Sequence, residues 1–410
     1  MIKRLASPVT RLMAVSAFCI AASVPVESRA QAASGWDARL EKALAGIDAQ
    51  GTAKIGVYVR DLDTGVAASW KADQRWYLAS MVKVPVAIAV LRGVEREQYT
   101  LDTKVSLRAS DYVDGAGRTN SYKVGRALSI RFLLDQMIIY SDNTATDMLI
   151  DLVGAAGVNA VVESLVPDRF REITSLSDVR HQIYANLVTD TTALTGHDLI
   201  LLNRQRVDTE RLKLLATMTG TPVERFKLKN LDAAYNAYYA SGVNSAPLTA
   251  YADLLQLLAD GKALTPRYTD YLLKVMERVA TGKNRLKAGL PPDMKFAHKT
   301  GTQRRRICDA GLLRFAEDGR ERRAIVVACV RDEPSLVISE HALVQVGAAI
   351  CKSGLLTRGN FDAPLCQSNQ PKRSLQSLNA AQDANDEGDS GPGIAAGLRR
   401  LPAAPLLPAR

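Results

Sequence analysis

From Trp36 to Ile47 apolar side chains return every three or four positions, the spacing of a helix with one buried face. Ile55-Gly56-Val57-Tyr58-Val59-Arg60 alternates instead, as a strand does; Asp63-Thr64-Gly65 supplies a turn, and Val66 to Lys71 returns. From Leu78 to about Lys283 the period is mostly helical: Val84, Ile88 and Leu91 share one face, as do Ile130, Leu133, Leu134 and Met137. Strand alternation resumes at Met294 to Gly301 and in the stretches 308–315 and 323–330, and Ile338 to Ile350 closes the pattern with an amphipathic helix. Strands at both ends with helices between them imply an α/β layer whose chain leaves, builds a helical lobe and comes back. The α/β parts are expected over about 33–77 and 290–354 and the lobe over about 78–289, within one domain spanning 33–366. Residues 367–410, rich in Ser, Asn, Gln, Asp, Gly and Pro, are expected to be disordered.

Hydrophobic content of 47% with 23% charged residues is ordinary for a globular chain, which excludes a fibrous or wholly disordered protein. A net charge of +10 invites a nucleic-acid partner, and the first residues argue against one. Lys3, Arg4 and Arg11 precede the short apolar run Leu12 to Val26, and Ala30-Gln31-Ala32 offers a small-x-small cleavage site. A leader over 1–32 is therefore expected, removed on export. The apolar run is shorter than the roughly 20 residues a membrane span needs, so no stable anchor is expected. A periplasmic or secreted monomer with no nucleic-acid partner follows, its charge serving solubility.

An exported chain meets an oxidising compartment, which permits disulfides. Cys308, Cys329, Cys351 and Cys366 form no Cys-x-x-Cys pair and no zinc spacing with the histidines, so neither a metal site nor a cofactor is expected. A two-residue turn at Asp318-Gly319 would set Cys308 opposite Cys329 across a hairpin; a bulge would break that register.

Three short motifs carry chemistry. Ser80-Met81-Val82-Lys83 places a hydroxyl and an amine one helical turn apart on one face, with Pro85 in the opening turns where a missing N–H does least harm. Ser141-Asp142-Asn143 follows the apolar run Phe132 to Tyr140, and Lys299-Thr300-Gly301-Thr302 ends the strand that begins near Met294. Taken singly, the second reads as a helix cap and the third as a strand-end turn. In this order they resemble the class A serine β-lactamases and the wider penicillin-recognising serine enzymes, whose three-motif signature is known. The likeness runs from about Trp36 to Gly354 and includes Thr281-Gly282-Lys283-Asn284-Arg285-Leu286-Lys287-Ala288-Gly289-Leu290-Pro291 and His298 before Lys299.

The resemblance implies a β-lactamase/transpeptidase-like α+β fold, with an antiparallel sheet flanked by helices and an inserted all-helical lobe. It implies Ser80 as nucleophile, Lys83 as the neutral amine that takes its proton, and Ser141 as the relay to the departing nitrogen. Lys299 and Thr300 would face a substrate carboxylate, Asn143 would hold the substrate's side-chain amide, and the N–H groups of Ser80 and Thr302, beside Gly301, would form the oxyanion hole. Arg304, Arg305 and Arg306 would add charge there or, the commoner fate, lie in solvent.

One position departs from the pattern. Class A enzymes activate the deacylating water with a glutamate in Glu-x-x-Leu-Asn; here the stretch is Arg180-His181-Gln182-Ile183-Tyr184-Ala185-Asn186. Gln182 can orient a water but cannot take its proton. His181, Glu210 and Glu224 are candidate substitutes. Residues 187–243 form an insert with helix-like runs Gly196 to Arg204 and Thr209 to Met218, read as a lid or packing element. The expected activity is β-lactam opening through an acyl-serine, with slow release. The alternatives are a peptidase acting on peptidoglycan stem peptides and a sensor that acylates once.

Overall fold

The computed structural model describes residues 35–317, 319–357 and 366; the expected leader and tail lie outside them. Helix α1 (Trp36–Gln50) leads into β1 (Lys54–Asp61), β2 (Ala67–Trp70) and β3 (Arg75–Tyr77). The lobe follows: α2 (Lys83–Glu95), the strand pair β4 (Lys104–Ser106) and β5 (Ala127–Ser129), α3 (Ile130–Ile139), α4 (Asn143–Val153), α5 (Ala155–Leu165) and α6 (Leu176–Ala185). The insert contributes α7 (Gly196–Arg204), α8 (Asp208–Thr219) and α9 (Leu231–Ala240). The chain continues through β6 (Ser245–Pro247), α10 (Leu248–Ala259), α11 (Pro266–Glu277), the single turn α12 (Leu286–Gly289), β7 (Lys295–Gln303), β8 (Arg306–Glu317), β9 (Arg320–Arg331) and α13 (Leu336–Lys352).

The main sheet is antiparallel in the order β2-β1-β9-β8-β7, so β7, carrying the third motif, is an edge strand. This is the α+β fold the motifs implied. Period-two alternation sends alternate side chains of one strand into two different cores. Ile325, Val327 and Cys329 of β9 join the core shared with the lobe, while Ala324, Val326, Ala328 and Val330 pack against α1 and α13. The lobe has short strands where the periodicity showed helix: β4 pairs with β5, and β6 pairs with β3. Three-residue strands are too short to print an alternation.

Cys308 and Cys329 are register partners and are bridged; the hairpin carries no bulge between them and the turn. A second bridge, Cys351–Cys366, was not foreseen.

Candidate active site

The first motif sits where β3 gives way to α2. Leu78 donates its N–H to Asn244 O at 2.9 Å, Tyr251 Oη donates to Met81 O at 2.9 Å, and a short 3-10 turn over Ala79–Val82 carries Ser80 into the helix. Lys83 N donates to Ser80 O and Met81 O, which fixes serine and lysine one tight turn apart. Ala79, just before Ser80, has φ 47°, and Ser141 has φ 62°. They are two of eight non-glycine residues with left-handed backbone among the described residues. Asp142 caps α4 by accepting from Ala145 N at 3.0 Å and holds Thr119 N at 2.9 Å. The cap reading of the second motif thus holds, for Asp142.

Gly301 explains how edge strand β7 reaches the serine. A Cβ there would stand 2.5 Å from Leu78 O and 3.1 Å from Ala79 Cβ, so only glycine lets the strand lie against this segment. The same position is 3.4 Å from Ser80 N, which brings the first and third motifs to one edge. Lys83 Nζ donates to Ser141 O at 2.5 Å, to Ser141 Oγ at 3.2 Å and to Asn143 Oδ1 at 2.7 Å. Lys299 Nζ comes to the same Ser141 Oγ at 2.9 Å and to Thr300 O at 3.0 Å. Both lysines are 0% exposed. Burial lowers the Lys83 ammonium to about 7, with Arg180 adding to the effect and Asp142 and Asp147 opposing it. Burial, then Lys83 and Arg285, push Lys299 well below the ordinary lysine range. Two buried amines meeting on one hydroxyl cannot both hold a proton cheaply, so the site stores a base.

A family model described as the Beta-lactamase enzyme family matches residues 39–353. The chain belongs to the beta-lactamase enzyme family. Among relatives of this beta-lactamase-family chain, β-lactamase ROB-1 of Haemophilus influenzae is 31% identical over 170 residues, covering 42% of this chain and 53% of that protein. β-Lactamase L2 of Stenotrophomonas maltophilia is 34% identical over 155 residues, 38% of this chain and 48% of that protein. The chain thus spans about half the length of these curated relatives. The structure of PBP-A superposes with a TM-score of 0.57 at 21% identity over 76% of this chain and 94% of that one. A β-lactamase from Sphaerobacter thermophilus does so at 0.57 and 22%, over 78% and 98%. These two likenesses carry the fold.

Where this family member departs from the class A pattern, the structure is specific. Gln182 is half-buried on α6, a helix whose first amides, Leu176 N and Ser177 N, donate to Asp147 at 2.7 and 2.8 Å. Asn186 Nδ2 donates to Gln182 O at 3.0 Å and to Ala234 O of the insert at 3.4 Å, so this amide holds backbone. Glu210 is exposed and paired with Lys213, and Glu224 is exposed on a surface turn; neither is brought to the site. His181 is half-buried beside Gln182 on α6.

The arginines after the third motif are half-exposed and engaged by neighbouring side chains. Arg304 pairs with Asp208 at 2.6 Å and Asp232 at 2.5 Å, and Arg305 pairs with Asp232 at 3.1 Å. Tyr239 Oη donates to Arg304 O at 2.8 Å, and the Arg306 guanidinium lies 4.1 Å over the Tyr239 ring. The insert is strapped to the β7–β8 turn.

Sequence spacing gives no sign of what Arg285, within the stretch 281–291, does. Arg285 is buried and donates to Gly301 O at 3.0 Å, Cys308 O at 3.2 Å and Thr302 Oγ1 at 2.8 Å, with Glu340 as counter-charge at 3.1 Å. Arg180 was noted only as a spacing match; it pairs with Asp114 at 2.6 and 2.8 Å, and Asp114 O accepts from Asn143 Nδ2 at 2.6 Å. With Oδ1 and one amide hydrogen engaged, Asn143 keeps a single N–H for a substrate. Thr302 is exposed.

Proposed function

We propose that this chain opens β-lactams through an acyl-enzyme on Ser80 and releases the product slowly. One observation carries the reading: an amine fully out of water, brought down to about 7 and held between Ser141 and Asn143, one turn from a serine. Ser80 Oγ attacks the strained carbonyl and its proton passes to Lys83 Nζ, while the N–H groups of Ser80 and Thr302 receive the developing oxyanion. The C–N bond then breaks; Ser141 gives its proton to the nitrogen and regains one from Lys83. The substrate carboxylate lies against Lys299 and Thr300, and its charge restores the Lys299 proton that burial disfavours. Asn143 uses its remaining N–H on the substrate's side-chain amide.

Release needs a water whose proton goes to a base, and Gln182 cannot supply one. General-base assistance is typically worth about 10²–10⁴-fold. The Asn186 amide, turned to Gln182 O and Ala234 O, supports the same reading. The site of action is outside the cytoplasm, supported by the bridges Cys308–Cys329 and Cys351–Cys366.

Intact-mass measurement after mixing with penicillin G tests this. A one-equivalent adduct that outlasts mixing, absent in Ser80→Ala, is expected, with slow steady turnover of nitrocefin. No adduct on folded protein would sink the assignment of Ser80; immediate return to free mass would sink slow release. Loss of terminal D-Ala from a stem peptide without lactam acylation would move the substrate to cell-wall peptide.

A further inference from the structure

Two positions before Gln182, helix α6 carries Arg180, to which the proposed reaction gives no role. Its side chain is 12% exposed, and Nε and Nη2 meet the two carboxylate oxygens of Asp114 at 2.6 and 2.8 Å. Burial disfavours this charge and Asp114 more than offsets the effect, so the guanidinium stays protonated. Nη1 is buried with no hydrogen-bond partner among the described residues. An ion pair set this deep contributes little net stability compared with apolar packing. Its consequence is the direction its fork imposes on the segment it grips.

That segment runs flush against Asn143. Val113 N donates to Thr144 Oγ1 at 3.1 Å, and Asn120 Nδ2 donates to Val113 O at 2.9 Å. Residues 115–118 are exposed, and a Cβ on Gly115 would stand 2.6 Å from Asn143 Nδ2. Between them the Asp114 carbonyl accepts from Asn143 Nδ2 at 2.6 Å. A carbonyl oxygen only accepts, so the amide turns its NH₂ to Asp114 and its Oδ1 to Lys83 Nζ at 2.7 Å. Ser141 O, 2.5 Å from the same Nζ, is also acceptor-only. A neutral amine has two hydrogens and one lone pair; these two acceptors take the hydrogens and leave the lone pair for a proton. With the amide reversed, an Nδ2–H would occupy that lone pair.

We infer that Arg180 is a positioning residue for acylation, holding through Asp114 the one orientation of the Asn143 amide that leaves the Lys83 lone pair free. The inference rests on Lys83 as the acceptor of the Ser80 proton. The guanidinium also acts through its charge, which adds to the larger effect of burial in disfavouring the Lys83 ammonium. The other charged groups facing Lys83 are Asp142 at the cap of α4, Asp147 within it and Lys299 from β7; Arg180 is faced by Asp114, Tyr235 and Tyr184. Asp147, pushed up to about 7 by burial, is common to every variant below.

The full chain labelled with ¹³C-lysine provides the test, with the Lys83 resonance assigned by Lys83→Arg. This titration needs no substrate, so its failure is separate from a failure of Ser80 to acylate, which the penicillin G adduct reads. The wild-type midpoint is expected at about 7. Arg180→Gln should raise it by about one pH unit, while Arg180→Lys, which keeps the charge, should hold it. Orientation is read above about pH 8.5, where the amine is largely neutral: the stopped-flow acylation rate constant with nitrocefin should fall about ten-fold in both variants, because neither supplies the fork. Should Arg180→Gln not fold, Asp114→Asn gives the second reading. It keeps the carbonyl and leaves the Arg180 charge uncompensated, so the midpoint should fall. A midpoint unmoved in folded Arg180→Gln, a midpoint that rises in Arg180→Lys or Asp114→Asn as well, or an unchanged acylation rate above about pH 8.5 overturns the inference.

Discussion

In the proposed reaction Lys83 takes the serine's proton, and its environment makes a signed prediction. The ammonium is disfavoured by burial and sits at about 7, far below a solvated lysine. Only the neutral amine can accept the Ser80 proton, and its population grows as pH rises through that value. The acylation rate constant, read by stopped-flow with nitrocefin, should therefore climb with pH and level off above about 7. A profile flat from pH 5 to 9 would mean that another group takes the proton. Gln182 makes the complementary case. Gln182→Glu restores a carboxylate to a half-buried helical position, and the acyl adduct should then clear about 10²–10⁴-fold faster while its formation changes little. An unchanged adduct lifetime would show that position 182 does not face the water.

Helices and strands place these residues, and here the structure adds most to what the sequence could say. Positions 308 and 329 were legible as neighbours because a tight turn propagates its register along both strands. The three motifs were legible because local spacing encodes a serine and a lysine on one turn. Arg285 was not: its worth lies in reaching Gly301 O, Cys308 O and Thr302 Oγ1, contacts that only packing creates. Helix α9 was missed, and the insert's ties to the site were equally hidden. Arg304, Asp208 and Asp232 lie far apart in sequence and give no local signal. Two expectations follow for these elements. Asp147→Ala removes the acceptor of the first two amides of α6, and should cost about 1–3 kcal/mol in urea denaturation. The strap from the insert is half-exposed, so a double-mutant cycle of Arg304→Ala with Asp208→Ala should give a coupling no larger than about 1 kcal/mol. Zero coupling would make the insert a passive cover.

Taken together, the two cores and the two bridges divide the labour between stability and catalysis. Cys308 and Cys329 lie on the lobe-facing side of the sheet; Cys308 is the register partner of Gly301, and its Sγ approaches Tyr77 O at 3.6 Å, just upstream of Ser80. Cys351 and Cys366 lie in the opposite core, against α1 and α13. The bridged positions are 21 and 15 residues apart, and loop-closure entropy depends only weakly on that length. Removing either bridge by a Cys→Ala pair should therefore destabilise the chain by a similar amount, about 3 kcal/mol, read as a lowered urea midpoint. Their effects on chemistry should differ. Losing Cys308–Cys329 relaxes the strand against which Gly301 is registered and should slow acylation. Losing Cys351–Cys366 should leave the acylation rate of the remaining folded protein unchanged, because that bridge lies at the end of α13, in the other core from Tyr77 and Leu78. Equal slowing by both pairs would mean that the sheet transmits strain from one face to the other, and that the two cores are energetically one.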